Sequence, residues 1–495
     1  MRMNPAQLYA RVLAGDTSDN GRFFFGVTTT GIYCLPSCKA RKPKPENTRF
    51  FPTAEAARAA GLRACKKCHP DDFARGADPV LETIEQLVAE IRANPATFKD
   101  ARSIVQRSGF GSTRLFELFR QHYHATPAAV LLNARLVSAK HHLLSDNDSI
   151  TDVALAAGFE SPSVFHEHFR ALNGLTSSAY RDLRNARSFE LTLPAGYPLD
   201  YLKRALSRDP HSLTERLDGD TYTTVVRLGE NQTPVLLTLQ FNNLTVTAKV
   251  DAASCRVGSS THPENAAGRR VYSPTPAAHA LVVALLGLDQ DAAAFTRLAR
   301  KLGLARLVAG RAELRLAQTP SVFEGLLWAI IGQQINLPFA FQLRRRLIER
   351  ASRSFAEGLY APPTPSDIAA LTPGDLKPLQ FSRSKAAYVI DTARLITSGQ
   401  LDLTTLRTMS ATRAERTLLA IRGLGPWSVN YLMMRSLGFA DCVPLGDTGV
   451  TSGLHALFKL EERPGIEATK RLMTVFSPYR SLATAHLWQF NRTVL

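Results

Sequence analysis

The chain has 495 residues and a formal net charge of +17, with 60 lysines and arginines against 43 aspartates and glutamates. A chain of this length exceeds what one hydrophobic core supports, so two to four domains are expected. The positive excess favours a polyanionic partner, either nucleic acid or an anionic membrane surface. No apolar run reaches the ~18 residues of a membrane span, and the first residues lack a signal-peptide pattern. We therefore expect a globular protein without a membrane partner.

The N-terminal region, residues 1–78, contains two closely spaced pairs of cysteines: Cys34 and Cys38, then Cys65 and Cys68. Two short-spaced pairs held apart by a longer gap predict a tetrahedral thiolate site for Zn²⁺. Two alternatives remain open from the spacing alone, namely two disulfides or a zinc that only stabilises the fold. Cys255 and Cys442 are far apart and are expected to be reduced core thiols. This cysteine usage indicates a reducing compartment, most simply the cytoplasm.

The same region contains a short apolar run from Phe23 to Val27, which predicts a strand and a turn. A basic stretch lies between the cysteine pairs, and it includes Arg41 and Lys42. A run of charge is usually a solvated face, but beside a metal site we favour contact with phosphate groups. Thr53 is expected to cap a helix that runs to Ala60.

Residues 79–186 show a helical pattern that occurs twice. One unit covers Asp100–Phe110 and Ser112–Arg120, and the other covers Ile150–Phe159 and Ser161–Arg170. Each unit is a short helix, a turn with glycine, and a second helix with an apolar stripe. This is the layout of a helix-turn-helix, whose second helix enters the major groove. The helix around Ala129–Leu144 is predicted to join the two units.

Residues 187–275 contain the only clear β region that the sequence predicts, an antiparallel sheet. Its four runs alternate apolar and polar residues: Phe189–Leu193, Thr221–Leu228, Val235–Phe241 and Leu244–Val250. Residues 276–495 return to a helical pattern. Together these regions predict a multidomain α+β chain with a zinc domain, a helical DNA-binding domain, a sheet domain and a helical C-terminal domain.

A glycine hairpin lies in the C-terminal region, where Gly423 and Gly425 precede Pro426. Proline suits the first position of a helix, and the free N–H groups there are able to hold a phosphate. About 20 residues later, Asp447 stands near the start of a further helix. From spacing alone, the alternative that Asp447 is only a helix N-cap is the stronger one.

Residues from about 188 to the end resemble the AlkA-like 3-methyladenine DNA glycosylases of the helix-hairpin-helix superfamily. The resemblance is carried by Gly423-Leu-Gly425-Pro-Trp427 with Tyr431, by Pro444 with Asp447, by Gly332-Gln333-Gln334, and by Pro478-Tyr479-Arg480 with Trp488. It implies that Asp447 is the catalytic carboxylate and that a cationic base is held against three aromatic residues: Trp427, Tyr431 and Tyr479. It also implies DNA contact by four residues: Gln333, Gln334, Gly423 and Gly425. Trp427 occupies the position of the Schiff-base lysine of lyase-type relatives, so a monofunctional glycosylase is expected.

The repeated helical region resembles the AraC-type DNA-binding domain, through Ile150-Thr-Asp-Val-Ala154, Gly158-Phe159, Phe165 and Phe169. The resemblance implies DNA contact from the second helix of each unit. The residues expected to make it are Ser161, Ser163, His166 and Arg114.

The N-terminal region resembles the metal-binding domain of Ada-type adaptive-response regulators, through Gly31-Ile-Tyr-Cys34, Pro36-Ser-Cys38 and Cys65-Lys-Lys-Cys68. The resemblance implies that Cys34 is itself a nucleophile, which takes a methyl group from a methylphosphotriester in DNA. Zinc supports such chemistry because it keeps sulfur deprotonated at neutral pH.

These features together predict a methylation sensor and transcription activator joined to an alkylbase DNA glycosylase. The expected partners are alkylated DNA, promoter DNA and RNA polymerase, and the protein is expected to be a cytoplasmic monomer. Two rival hypotheses remain. In one, the chain is a regulator with an inactive glycosylase half; in the other, it is a glycosylase with a purely structural zinc.

Overall fold

The computed structural model describes residues 4–15, 19–74, 78–145, 147–229, 231–252 and 273–490. The chain divides into two compact units, Met1–Ala89 and Glu90–Leu495. Cys255, which the sequence predicts to be a reduced core thiol, lies outside the described residues. Among the helices in those ranges, none combines the length and the apolar character that crossing a membrane requires.

The first unit is built around a small sheet. Its strands are β1 (Phe24–Val27), β2 (Ile32–Cys34), β3 (Thr48–Phe51) and β4 (Arg63–Ala64), in the order β3-β1-β2-β4. Its short helices are α1 (Pro5–Ala14), α2 (Ala54–Ala59) and α3 (Pro70–Ala74). The expectation that the later sheet is the only clear β region is therefore wrong, because strands of two to four residues show too little alternation. The capped helix after Thr53 is confirmed, since the Thr53 hydroxyl accepts the Ala56 N–H at 3.1 Å.

Helices make up the next part of the chain. They are α4 (Pro79–Ala93), α5 (Ala101–Ser108), α6 (Ser112–Tyr123), α7 (Pro127–Ser145), α8 (Ile150–Ala156), α9 (Pro162–Asn173) and α10 (Ser177–Asp182). Both predicted helix-turn-helix units are confirmed as α5–α6 and α8–α9, with α7 between them. The turn of the second unit needs glycine, because Gly158 has φ +90° and an added Cβ would lie 2.7 Å from the Ala96 Cα atom.

A five-stranded antiparallel sheet follows. Its strands are β5 (Ser188–Thr192), β6 (Glu215–Asp218), β7 (Thr221–Leu228), β8 (Thr233–Phe241) and β9 (Thr245–Ala252), in the order β5-β9-β8-β7-β6, and α11 (Leu199–Leu206) lies between β5 and β6. The four predicted strands are confirmed. The sequence pattern does not reveal β6, because this edge strand reads Glu-Arg-Leu-Asp and charged residues are typical of edges.

Residues 273–490 are mainly helical. The helices are α12 (Thr275–Leu286), α13 (Ala292–Lys301), α14 (Ala305–Val308), α15 (Val322–Ile331), α16 (Leu337–Ala351), α17 (Pro365–Ala369), α18 (Pro373–Leu376), α19 (Arg383–Thr397), α20 (Leu403–Leu406), α21 (Ala411–Leu419), α22 (Pro426–Arg435), α23 (Thr448–Phe458), α24 (Ile466–Thr474) and α25 (Arg480–Phe490). A two-stranded ribbon, β10 (Ser354–Ala356) with β11 (Leu359–Tyr360), follows α16.

One hydrophobic core runs from the second helix-turn-helix into the sheet and α12. It contains Phe165 and Phe169 of α9, Leu237 of β8 and Val282 of α12, all of them buried. At its centre the buried His279 ring donates from Nε2 to the Asn173 carbonyl at 2.8 Å. The second helix-turn-helix and the sheet are therefore packed around one shared core.

Candidate active site and metal centre

Three groups hold the Asp447 carboxylate by hydrogen bonds. It caps α23, because its Oδ1 accepts the Val450 N–H at 3.0 Å. The same Oδ1 accepts from Trp488 Nε1 at 2.8 Å, and Oδ2 accepts from Trp427 Nε1 at 3.2 Å. The N-cap alternative is thus correct but incomplete, since two indoles on other helices also fix the direction of this half-buried carboxylate.

An aromatic wall stands beside Asp447. Trp427 and Tyr431 lie one turn apart on α22 and stack with ring centres 5.2 Å apart and an interplanar angle of 16°. Trp488 of α25 approaches Tyr431 at 6.3 Å. The spacing of four residues explains the stack, since residues i and i+4 share a helix face. The electron-rich faces of these rings are able to attract a cation.

The resemblance assigns Tyr479 to the base pocket. This residue lies at the start of α25 and belongs to a different cluster of side chains from Trp427 and Tyr431. It packs at the edge of a core with Phe295 and Leu454. Burial raises the pKa of the Tyr479 hydroxyl, and Asp291 raises it further. No hydrogen bond or ring contact in residues 273–490 joins Tyr479 to Trp427, Tyr431 or Asp447, so its pocket role stays a prediction.

The glycine hairpin has the predicted form, with Gly425 as the N-cap and Pro426 as the first residue of α22. Gly423 has φ +94°, and a Cβ there would meet the Tyr388 ring at 2.4 Å. Only glycine fits such a position. The N-terminus of α22 thus leaves its first N–H groups available for a phosphate.

Gln333 and Gln334 have different positions. The Gln333 side-chain amide donates to the Gly423 carbonyl at 2.7 Å and to Ser428 Oγ at 3.0 Å. It therefore positions the hairpin. Gln334 is exposed and has φ +54°, a strained backbone for this residue type. This exposure is compatible with contact with DNA, which stays a prediction for Gln334.

The four cysteines of the first unit converge. Their sulfur atoms all lie within 4.8 Å of one another. A tetrahedron with Zn–S distances of about 2.3 Å has edges of about 3.8 Å, so the cluster fits a Zn²⁺ ion. The pKa of the Cys34 thiol is raised by hydrogen bonds with Cys38 and Cys68 and by burial. Several thiolates at this spacing repel one another, and a bound divalent cation offsets that repulsion. Disulfides are not formed, since all four cysteines are free.

The sulfur atoms differ in their hydrogen bonds. Leu35 N–H donates to Cys68 Sγ and Lys67 N–H to Cys65 Sγ, both at 3.4 Å. Hydrogen bonds with Cys34 and Cys68 lower the pKa of the Cys38 thiol, and the Ala40 N–H lowers it further. Within the described part of the first unit, no backbone N–H donates to Cys34. Hydrogen bonds withdraw charge from a thiolate, so the N–H donors affect the other three sulfurs and not that of Cys34. Its sulfur is nevertheless enclosed, because only 4% of Cys34 is exposed.

The basic residues beside the cysteine cluster have different roles. Arg41 is exposed. Lys42 Nζ donates to the Cys38 carbonyl at 2.7 Å and lies 5.9 Å from the centre of the Phe25 ring. Lys42 thus supports the loop that carries Cys38, and Arg41 is free to reach a phosphate.

The residues predicted to read DNA lie at the start of α6 and α9. Ser163 and His166 are exposed on α9, and the His166 ring also contacts Ser177 Oγ at 3.2 Å. Ser161 acts as the N-cap, since its hydroxyl accepts the Val164 N–H at 3.3 Å. Arg114 of α6 pairs with Glu117 at 3.3 Å.

The sequence assigns no role to Trp488, although this residue is part of a motif that carries the glycosylase resemblance. Trp488 lies 41 residues after Asp447. No local spacing links an indole to a carboxylate at that distance. Only the packing of α25 against α23 brings the two together.

Comparison with known families agrees with this architecture. The metal-binding domain of Ada matches residues 7–71, a helix-turn-helix domain matches residues 104–183, and the HhH-GPD superfamily of base excision DNA repair proteins matches residues 327–478.

Individual relatives cover the whole chain or its C-terminal part. A probable bifunctional transcriptional activator/DNA repair enzyme AlkA of Mycobacterium tuberculosis is 29% identical, over 97% of this chain and 95% of the relative. A DNA-3-methyladenine glycosylase of Bacillus subtilis is 34% identical, over 41% of this chain and 68% of the relative. The solved 3-methyladenine DNA-glycosylase of Archaeoglobus fulgidus aligns with a TM-score of 0.51 at 20% identity, over 62% of this chain and 99% of that one, which shows a shared fold. The chain belongs to the HhH-GPD family of DNA glycosylases and carries an Ada-type metal-binding domain and a helix-turn-helix domain before the glycosylase.

Proposed function

We propose that the chain removes alkylated bases from DNA and also senses methylation of the DNA backbone. The observation that carries the first activity is the Asp447 carboxylate, held by two indoles next to the Trp427–Tyr431 stack. A duplex hides the glycosidic bond, so the damaged nucleotide must be flipped out of the helix. The aromatic wall then attracts the cationic alkylated base.

Bond cleavage requires little acid catalysis, because an alkylated cationic base is already a good leaving group. The bond between the sugar and the base breaks, the electron pair leaves with the base, and positive charge develops on the sugar. The ionised Asp447 carboxylate stabilises that charge and orients the attacking water, which loses its proton as the new C–O bond forms. Because Trp427 stands at the position of the Schiff-base lysine of lyase-type relatives, the product is an abasic site in an intact strand.

The second activity is transfer of a methyl group from a methylphosphotriester to Cys34. The Cys34 sulfur attacks the methyl carbon, an S–C bond forms, and the O–C bond breaks so that the phosphate regains its negative charge. Bound Zn²⁺ keeps the four sulfurs deprotonated. The assignment to Cys34 is supported by the hydrogen bonds from N–H groups to the other three sulfurs.

Methylation of Cys34 removes one unit of negative charge from the sulfur cluster. A surface that carries less negative charge repels the DNA backbone less, so DNA binding tightens. We propose that this change makes the protein a transcription activator that reads promoter DNA with α6 and α9 and contacts RNA polymerase. We further propose that it acts as a monomer in the cytoplasm, where thiols stay reduced.

The experiment for the glycosylase activity uses purified full-length protein and a duplex treated with a methylating agent. We expect release of 3-methyladenine and abasic sites, with strand breaks appearing only after alkaline treatment. Strand breaks without alkali would contradict the monofunctional mechanism. Base release by the wild-type protein that does not exceed spontaneous release from the same duplex would leave the C-terminal half as a binding module only.

A further inference from the structure

The C-terminal end of α6, the second helix of the first helix-turn-helix, is docked on the glycosylase part of the same compact unit. His122 Nδ1 and Thr412 Oγ1 lie 2.8 Å apart, which joins α6 to α21. The Asp441 N–H donates to His124 Nδ1 at 3.1 Å, and the His124 ring meets the Phe439 ring edge-on at 5.6 Å. The contact thus joins α6 to two separate segments of the glycosylase.

Both ends of this contact are held firmly. His124 is the left-handed C-cap residue of α6, with φ +54°. Burial lowers the pKa of its ring to about 4, so at neutral pH the ring is uncharged and accepts the Asp441 N–H. Asp441 is itself fixed by Arg480, whose Nε donates to Oδ1 at 2.8 Å. His122 is 4% exposed. The end of the DNA-reading helix is therefore part of a buried interface.

Helix geometry limits the distance between the two DNA-binding elements. α21 begins at Ala411, beside the contact, and ends at Leu419, just before the glycine hairpin. At roughly 1.5 Å per residue, Ser112 at the start of α6 lies about 15 Å from His122, and the hairpin, which follows α21 and a turn, lies within about 20 Å of Thr412. With the joined side chains of His122 and Thr412 included, the two elements are at most about 45 Å apart, which is about 13 base pairs of B-form DNA.

The exposed residues at the start of α6, along α21 and in the hairpin are suited to bind a polyanion. Thr113 at the start of α6 is exposed, and so are Arg413 and Arg416 of α21 and Arg422 of the hairpin. The three arginines lie on the path from the docked end of α6 to the hairpin. Arginines along such a path are typical of phosphate contacts.

We propose that α6 and the glycine hairpin form one composite surface that binds a single DNA duplex, so that the first helix-turn-helix extends the DNA contact of the glycosylase. This inference builds on the proposed glycosylase function, since the hairpin supplies one end of the surface. It also implies that one protein molecule cannot hold promoter DNA on α6 and a separate damaged duplex on the hairpin.

The test is hydroxyl-radical footprinting of the full-length protein on a duplex of about 30 base pairs that carries a stable abasic-site analogue. The composite surface predicts protection at the analogue and a second protected patch within about 13 base pairs of it. When the analogue is moved along the duplex, the second patch should move with it. A second patch that stays in place, or that is missing while the first is present, would overturn the inference.

Two variants test whether the start of α6 contacts the DNA. Thr113→Glu adds negative charge at the second residue of α6, and Ser366→Glu adds it at the matched, exposed second position of α17. Acidic residues are tolerated in a first helical turn. We expect Thr113→Glu to remove the second patch and to raise the Kd about fivefold, whereas Ser366→Glu should stay within about twofold of wild type.

Base release separates the possible failures. Normal base release without a moving patch overturns the composite surface alone, whereas the absence of both protection and base release overturns the glycosylase function as well.

Discussion

Trp488 Nε1 donates to Asp447 Oδ1 at 2.8 Å, and the same oxygen accepts the Val450 N–H at 3.0 Å. The carboxylate oxygen that caps α23 is thus also tied to α25. This shared oxygen couples the local start of a helix to the packing of two helices, and it determines where the carboxylate points toward the aromatic wall.

Replacement of Trp488 by phenylalanine should lower kcat with little change in KM. Phenylalanine keeps an aromatic ring beside Tyr431 but lacks the N–H donor. A charge-assisted hydrogen bond contributes about 1.5 kcal/mol, so we expect about a tenfold decrease. Steady-state release of 3-methyladenine measures both constants. A rise in KM with unchanged kcat would mean that the indole serves base binding instead of carboxylate orientation.

Replacement of Asp447 by asparagine should reduce base release by at least about a hundredfold. Asparagine is as good an N-cap as aspartate, so α23 should remain folded. The substitution removes the negative charge that stabilises the sugar cation. Asp402→Asn is the matched control, because Asp402 is an exposed N-cap that accepts the Thr404 N–H at 2.8 Å. Similar activity in the two variants would show that the carboxylate is only structural.

Alanine at Gly423 should destabilise the hairpin, whereas alanine at Gly425 should be tolerated. The first substitution places a Cβ 2.4 Å from the Tyr388 ring at φ +94°, and the second meets nothing within 4 Å. We expect a loss of about 1–3 kcal/mol in the free energy of unfolding for Gly423→Ala. Thermal denaturation compares the two variants. Equal melting temperatures would mean that the hairpin does not need this backbone conformation.

Removal of zinc should unfold the first unit and leave base release intact. The small sheet packs against a core that includes Cys34, Cys38 and Cys65 themselves, so the metal and the fold depend on each other. We expect one zinc per chain by atomic absorption, and loss of protease resistance in residues 1–74 after chelation. Glycosylase activity that disappears together with the zinc would contradict the independence of the two chemistries.

The stability of the second unit should fall as the pH decreases from about 6.5 to 4. Burial lowers the pKa of His279 from 6.5 to about 4, so in this range the unfolded chain binds a proton that the folded chain does not. The loss from His279 alone amounts to about 3 kcal/mol. His279→Gln keeps a donor for the Asn173 carbonyl and should make the pH dependence of the melting temperature less steep. Burial also lowers the pKa values of His124 and His486, and these two rings should retain part of the dependence. If the melting temperature of the variant depends on pH as steeply as that of wild type, other buried groups cause the dependence.

The sequence predicts the local features well because their causes are local. Thr53 as an N-cap, Pro426 at the start of α22 and the Trp427–Tyr431 spacing each depend on residues within one helical turn. The contact of His124 with Asp441 and that of Trp488 with Asp447 join segments 317 and 41 residues apart. Such contacts result from the packing of distant segments, and no short sequence pattern predicts them.

The most direct test of the two proposed chemistries is one incubation of the full-length protein with DNA that carries both methylated bases and methylphosphotriesters. Released bases are assayed from the same tube in which the protein is analysed by intact mass and peptide mapping. We predict free 3-methyladenine together with the gain of one methyl group on the peptide that contains Cys34. Base release with no methyl group on any of the four cysteines would show that the zinc is structural and would contradict the account of a methylation sensor.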